Sequence, residues 1–146
     1  MNYAAIERPL VTPVHAPSSE SDGYDPALTR LRVVIVEDEA VLAMDMEDSL
    51  TLAGFEVVAI ADSEGEAVAL VNRHRPDLVL MDITLRHGSG LAAAAAIAGQ
   101  ASIIFVSASS DPATLAAAEA LKPLGFIRKP YVGHELPGLV NRILRA

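Results

Sequence analysis

The sequence predicts an α/β protein: an open, doubly wound sheet of five parallel strands with five helices. Two observations carry this. Five short apolar runs, LRVVIV (31–36), EVVAI (56–60), LVLM (78–81), SIIFV (102–106) and GFIR (125–128), alternate with five segments of helical pattern. Within the runs apolar and polar residues do not alternate, which marks strands covered on both faces. Right-handed crossovers join such strands, and no repeat beyond the βα unit is visible.

The first strand, 31–36, leads into a helix over 39–54. There Leu42, Met46, Leu50 and Ala53 recur at spacings of four, four and three, one helical face, with Asp45, Asp48 and Thr51 away from it. Gly54 suits the position just past a helix end. After the second strand, Ser63 and Glu66 form a capping-box signature. Pro76 requires that helix to stop before it. The third strand, 78–81, is followed by an alanine-rich helix over 90–99. Pro112 fits the first turn of a helix over 111–121. The last helix covers 134–146, with Pro137 tolerable only near its start.

At 146 residues, 51% of them hydrophobic, the chain can bury one real core. The absence of cysteine excludes disulfides, thiol chemistry and cysteine-type zinc sites. His15, His74, His87 and His134 are scattered without ligand spacing. A formal charge of -8 disfavours nonspecific nucleic-acid binding. No apolar run is long enough to span a membrane, and MNYAAIERPLVTP is not a signal peptide, so a cytoplasmic protein is expected. Residues 1–30 hold Pro9, Pro13, Pro17, Pro26 and SSESDG and read as a flexible tail ahead of one domain over 31–146.

Ligands of an open α/β sheet sit beyond the carboxyl ends of its strands. Glu37-Asp38-Glu39 follow the first strand, Asp82 the third, Ser107 the fourth, and Lys129-Pro130 the fifth. If the strand order is 2-1-3-4-5, all of them meet at one edge. Asp82 would then lie close to Glu37 and Asp38. Carboxylates so placed raise one another's pKa unless a cation joins them. A hard divalent ion with oxygen ligands, Mg2+ above all, fits. A carboxylate nucleophile, a metal, a lysine and a hydroxyl are the parts needed to accept a phosphoryl group. Each residue alone has a plainer reading: acids at a helix N-terminus, a turn aspartate, a loop hydroxyl, a solvated lysine. The coincidence of all four in chain order points to the chemistry.

On these motifs residues 31–146 resemble the receiver domain of two-component response regulators. VVIVEDE is similar to the family's acidic pair, LVLMDITL to its phosphoacceptor strand, IIFVSA to the strand with its Ser/Thr, and GFIRKPY to the strand with its Lys-Pro. The resemblance implies a flavodoxin-like fold in the order 2-1-3-4-5. It implies Asp82 as phosphoacceptor, with Mg2+ held by Glu37, Asp38, Asp82 and the backbone carbonyl of Thr84. Ser107 and Lys129 would bond the phosphoryl group, and Phe126 takes the place of a switching aromatic. The donor would be a histidine kinase or a phosphotransfer protein. The chain would be a self-catalysing phosphoacceptor rather than an enzyme.

The sequence departs from the family in three ways. Arg86 stands where proline is common, with His87 and Gly88 next, so the loop after Asp82 is expected to be looser. The third helix is short. Thr84 and Ser109 occupy the positions that tune access of hydrolytic water. No second domain follows, so a single-domain regulator is expected, a monomer or a phosphorylation-dependent dimer. It would act on a downstream protein through 113–121, 126–128 and 136–144, or relay its phosphate, without nucleic acid or membrane. The alternatives are a receiver of a larger hybrid kinase, with 1–30 as its linker, and a pseudo-receiver binding module. An aspartyl phosphatase would want an acid where Thr84 stands. A flavodoxin-like electron carrier would need a phosphate-cradling loop in place of EDEAV.

Overall fold

The computed structural model describes residues 30–146, so the tail expected over 1–30 lies, except for Arg30, outside the described residues. The elements follow in strict alternation: β1 Arg32–Val36, α1 Ala40–Leu52, β2 Glu56–Ala61, α2 Glu64–His74, β3 Leu78–Met81, α3 Gly90–Ala96, β4 Ser102–Ser107, α4 Pro112–Ala120, β5 Gly125–Arg128 and α5 Leu136–Leu144. All strand pairs are parallel, in the order β2-β1-β3-β4-β5. The fold is the flavodoxin-like one expected.

Alternate strand residues face opposite layers. Val33 and Ile35 pack with Met46 and Leu50 of α1, with Ala53 just past its end, and with Leu136 and Val140 of α5. Val34 and Val36 pack with Ala67 and Val71 of α2, Ala93 and Ala94 of α3 and Ala118 of α4. Burial on both faces is what the continuous apolar runs demanded.

Side-chain caps set three helix starts. Ser63 accepts the N–H of Glu66 at 3.2 Å, Ser89 those of Leu91 and Ala92, and Asp111 that of Thr114. The capping box is offset by one residue, since Glu66 Oε1 accepts from the N–H of Asp62 rather than that of Ser63. Two helices are shorter than expected. The left-handed Gly99, with φ at +82°, lies past the end of α3. The segment before α5 is a tighter 3-10 turn, Gly133–Glu135. Pro137 explains this, because in a continuous α-helix its ring would collide with the carbonyl of residue 133.

The register places the candidate residues. Val36 pairs with Met81, Met81 with Phe105, and Phe105 with Phe126. The ladder extends one step past each strand: the N–H of Asp82 donates to Val36 O, and that of Lys129 to Ser107 O. Glu37, Asp82, Ser107 and Lys129 thus leave the sheet along one edge.

Candidate functional site

Glu37, Asp38 and Asp82 offer carboxylate oxygens that all lie within 4.8 Å of one another. Lys129 enters between two of them: its Nζ lies 2.5 Å from Glu37 Oε1 and 2.9 Å from Asp82 Oδ2. Burial pulls the Lys129 ammonium toward a lower pKa, but the hydrogen bonds it donates to Glu37 and Asp82, and their charges, outweigh it and hold the group above its ordinary value. Burial pushes the Glu37 carboxyl above its ordinary range, and the bonds from Lys129 and from the N–H of Glu39 offset this only in part. Three carboxylates against one ammonium leave two negative charges uncompensated by Lys129.

Backbone donors fix each carboxylate. The N–H of Glu39 donates to Glu37 Oε2 at 3.1 Å, that of Thr84 to Asp82 Oδ1 at 3.0 Å, and that of Arg86 to Asp38 Oδ2 at 2.7 Å. The donor set suits a hard cation. Mg2+ holds oxygens at about 2.1 Å, so opposite ligands sit roughly 4.2 Å apart. Oxygens within 4.8 Å of one another are near enough for one such ion to draw all three onto itself.

The loop after Asp82 is tied down, contrary to the looser loop expected. Glu64, the first residue of α2, donates its N–H to His87 O at 3.1 Å and accepts the N–H of Ser89 on Oε1 at 2.8 Å. Thr84 and Ser89 form an antiparallel bridge. Gly90 packs directly on the backbone of Asp82: a Cβ there would lie 1.9 Å from its carbonyl oxygen. An external acid and a missing side chain do here what a proline would do within the loop.

The model of the response regulator receiver domain family matches residues 33–141. The chain belongs to that family. The receiver is 36% identical over 116 residues to the chemotaxis protein CheY of Bacillus subtilis, covering 77% of this chain and 97% of that one. It is 34% identical over 117 residues to the transcriptional regulatory protein PdtaR of Mycobacterium tuberculosis, covering 79% of this chain. It spans only about half, 55%, of the PdtaR length. Among solved structures it resembles the response regulator domain of Thermotoga maritima CheB, with a TM-score of 0.71 at 26% identity over 80% of this chain and 96% of that one. Receivers take a phosphoryl group and are phosphorylated by histidine kinases.

The receiver brings Glu37, Asp38, Asp82 and Lys129 into direct contact range. Thr84 joins them through its backbone N–H. Ser107 is buried at the end of β4, where its Oγ accepts the N–H of Ser109 at 3.2 Å. Among the described residues it makes no hydrogen bond to Asp82. Phe126 stacks on Phe105, centroids 5.7 Å apart, and borders two surface clefts of about 260 and 340 Å³ between β5 and the flanking α4 and α5. Sequence reasoning missed Glu64, the role of Gly90 and the Arg86–Asp38 bond. None has a local signature, because each contact spans 8 to 48 positions of chain and has backbone on at least one side. Among the described residues no helix is long and apolar enough to cross a membrane.

Proposed function

We propose that this receiver accepts a phosphoryl group on Asp82 from the phosphohistidine of a histidine kinase or phosphotransfer protein. It then signals by phosphorylation-dependent protein contact, or relays the group onward. The observation that carries this reading is Asp82 held in bonding contact with Lys129 beside Glu37 and Asp38, at the sheet edge where ligands bind. An Asp82 oxygen attacks phosphorus, and the donor's P–N bond breaks. The electron pair of that bond goes to the imidazole, protonated beforehand on its other nitrogen, which departs neutral. Lys129 exchanges a carboxylate partner for a phosphoryl oxygen. Ser107, poised by Ser109 at the end of β4, supplies a hydroxyl to another. Glu37, Asp38, Asp82 and the Thr84 carbonyl would hold Mg2+, which offsets the charge of the incoming phosphoryl group.

The output is a population shift in the α4–β5–α5 region. Phe126 supports this, since it is 38% exposed and bordered by clefts into which a ring can turn, though it has no hydroxyl to bond with. A match along nearly the whole of CheY supports a receiver acting by itself. The match to half of PdtaR favours a second reading, the same chemistry serving a longer protein.

The test is Mg2+-dependent phosphorylation by a small phosphodonor, read by intact mass, with wild type beside Asp82→Asn and Lys129→Ala. Wild type is expected to gain one base-labile phosphoryl group and Asp82→Asn none. No incorporation together with no Mg2+ binding would leave a pseudo-receiver that works through its surfaces alone.

A further inference from the structure

Arg86 makes two contacts to a single atom of the acidic cluster. Its backbone N–H donates to Asp38 Oδ2 at 2.7 Å, and its guanidinium Nε lies 3.9 Å from the same oxygen. A proline at this position, with neither N–H nor charge, could make neither contact. The cations of the site are therefore divided: Glu37 and Asp82 share Lys129, while Asp38 has Arg86. The two differ in freedom. The Lys129 side chain is 14% exposed, that of Arg86 70%. Arg86 can leave without opening the core.

A divalent ion entering the cluster needs Asp38 and so competes with the guanidinium. Once displaced, the guanidinium remains on its flexible stem at the mouth of the site. An anionic phosphodonor approaches there, and the planar fork of N–H donors matches phosphoryl oxygens. We propose that Arg86 is the exchangeable cation of this site: it neutralises Asp38 in the metal-free receiver, yields it to the divalent ion, and then receives the anionic donor. This rests on Asp82 being the phosphoacceptor.

Arg86→Gln removes the charge while keeping the backbone N–H on Asp38. Mg2+ titrated by calorimetry into metal-free protein is expected to bind Arg86→Gln about 3- to 5-fold more tightly than wild type, the scale of one exposed charge pair. The gain shrinks as KCl is raised. Phosphorylation by acetyl phosphate, with each protein saturated in Mg2+, is expected to be several-fold slower at low donor concentration in the variant. Arg86→Lys restores the Mg2+ affinity to the wild-type value and the donor rate only in part. An unchanged Mg2+ affinity in Arg86→Gln overturns the proposal, and so does an unchanged rate with acetyl phosphate. If wild type itself binds Mg2+ but takes no phosphoryl group on Asp82, the underlying reading fails and the proposal falls with it.

Discussion

Lys129 is the residue on which the resting site balances. Its partners are well screened from water, with side-chain exposures of 2% for Glu37 and 9% for Asp82. Removing one member of such a cluster leaves the others as uncompensated charge. Lys129→Met is therefore expected to lose roughly 3 kcal/mol of stability at neutral pH without Mg2+. Mg2+ should restore part of that loss, because a ligand that binds only the folded state stabilises it by mass action. Urea denaturation of both proteins with and without Mg2+ reads this directly. Equal midpoints in the metal-free proteins would mean that water, not Lys129, screens the carboxylates. The sequence made Lys129 legible as a cation near Asp82. It could not show that the ammonium spans Asp82 and Glu37, because that depends on where a long side chain settles between elements 92 positions apart.

The β3–α3 loop shows how one element holds another's chemistry in place. Glu64→Ala removes the acceptor of the Ser89 N–H, a single hydrogen bond, with an expected cost of about 1 kcal/mol. Amide exchange should quicken at Ser89 more than at Glu66, whose N–H stays capped by Ser63. Uniform acceleration along α2 would point instead to loss of the helix. Gly90→Ala is harsher. Its Cβ meets the Asp82 carbonyl at 1.9 Å, and backbone must move to admit it. Overpacking of this kind costs about 1–3 kcal/mol, and here the displaced backbone belongs to Asp82. Circular dichroism and phosphoryl uptake measured together should show a folded protein with a crippled acceptor. At this scale the strands were legible because burial on both faces writes a continuous apolar run. Helix starts were legible from Ser63 and Pro112. The split before α5 and the anchored loop were not, since one follows from how Pro137 fits the preceding turn and the other from a tertiary contact.

Across the whole molecule, four buried or partly buried groups, His74, Glu37, Tyr131 and Lys129, shape the pH dependence of stability. His74 is buried at the end of α2, and its Nε2 has no partner among the described residues. Burial, aided by the charges of Arg73 and Arg32, holds its pKa below the ordinary 6.5. Below that pH the unfolded chain gains a proton that the folded one resists, so stability falls as pH drops through the folded value. Glu37, raised above its ordinary value, acts in the opposite sense in acid. The His74 limb is therefore read as the difference between wild type and His74→Gln. On the alkaline side, burial and then the charges of Asp45 and Glu37 raise Tyr131 above its ordinary 10.0, and Lys129 is raised above 10.5. From about those values upward the unfolded chain loses protons that the folded one keeps, so stability falls as pH rises. The two alkaline contributions separate by mutation. The Tyr131 hydroxyl is buried with no partner among the described residues, so Tyr131→Phe should be neutral or stabilising by up to about 1 kcal/mol at neutral pH. It should also flatten the alkaline limb while leaving the fraction that belongs to Lys129. Denaturation midpoints from pH 5 to 11 for wild type, His74→Gln and Tyr131→Phe test this dependence. If Tyr131→Phe loses stability at neutral pH, the hydroxyl has a partner in solution, and its ionisation no longer explains an alkaline decline.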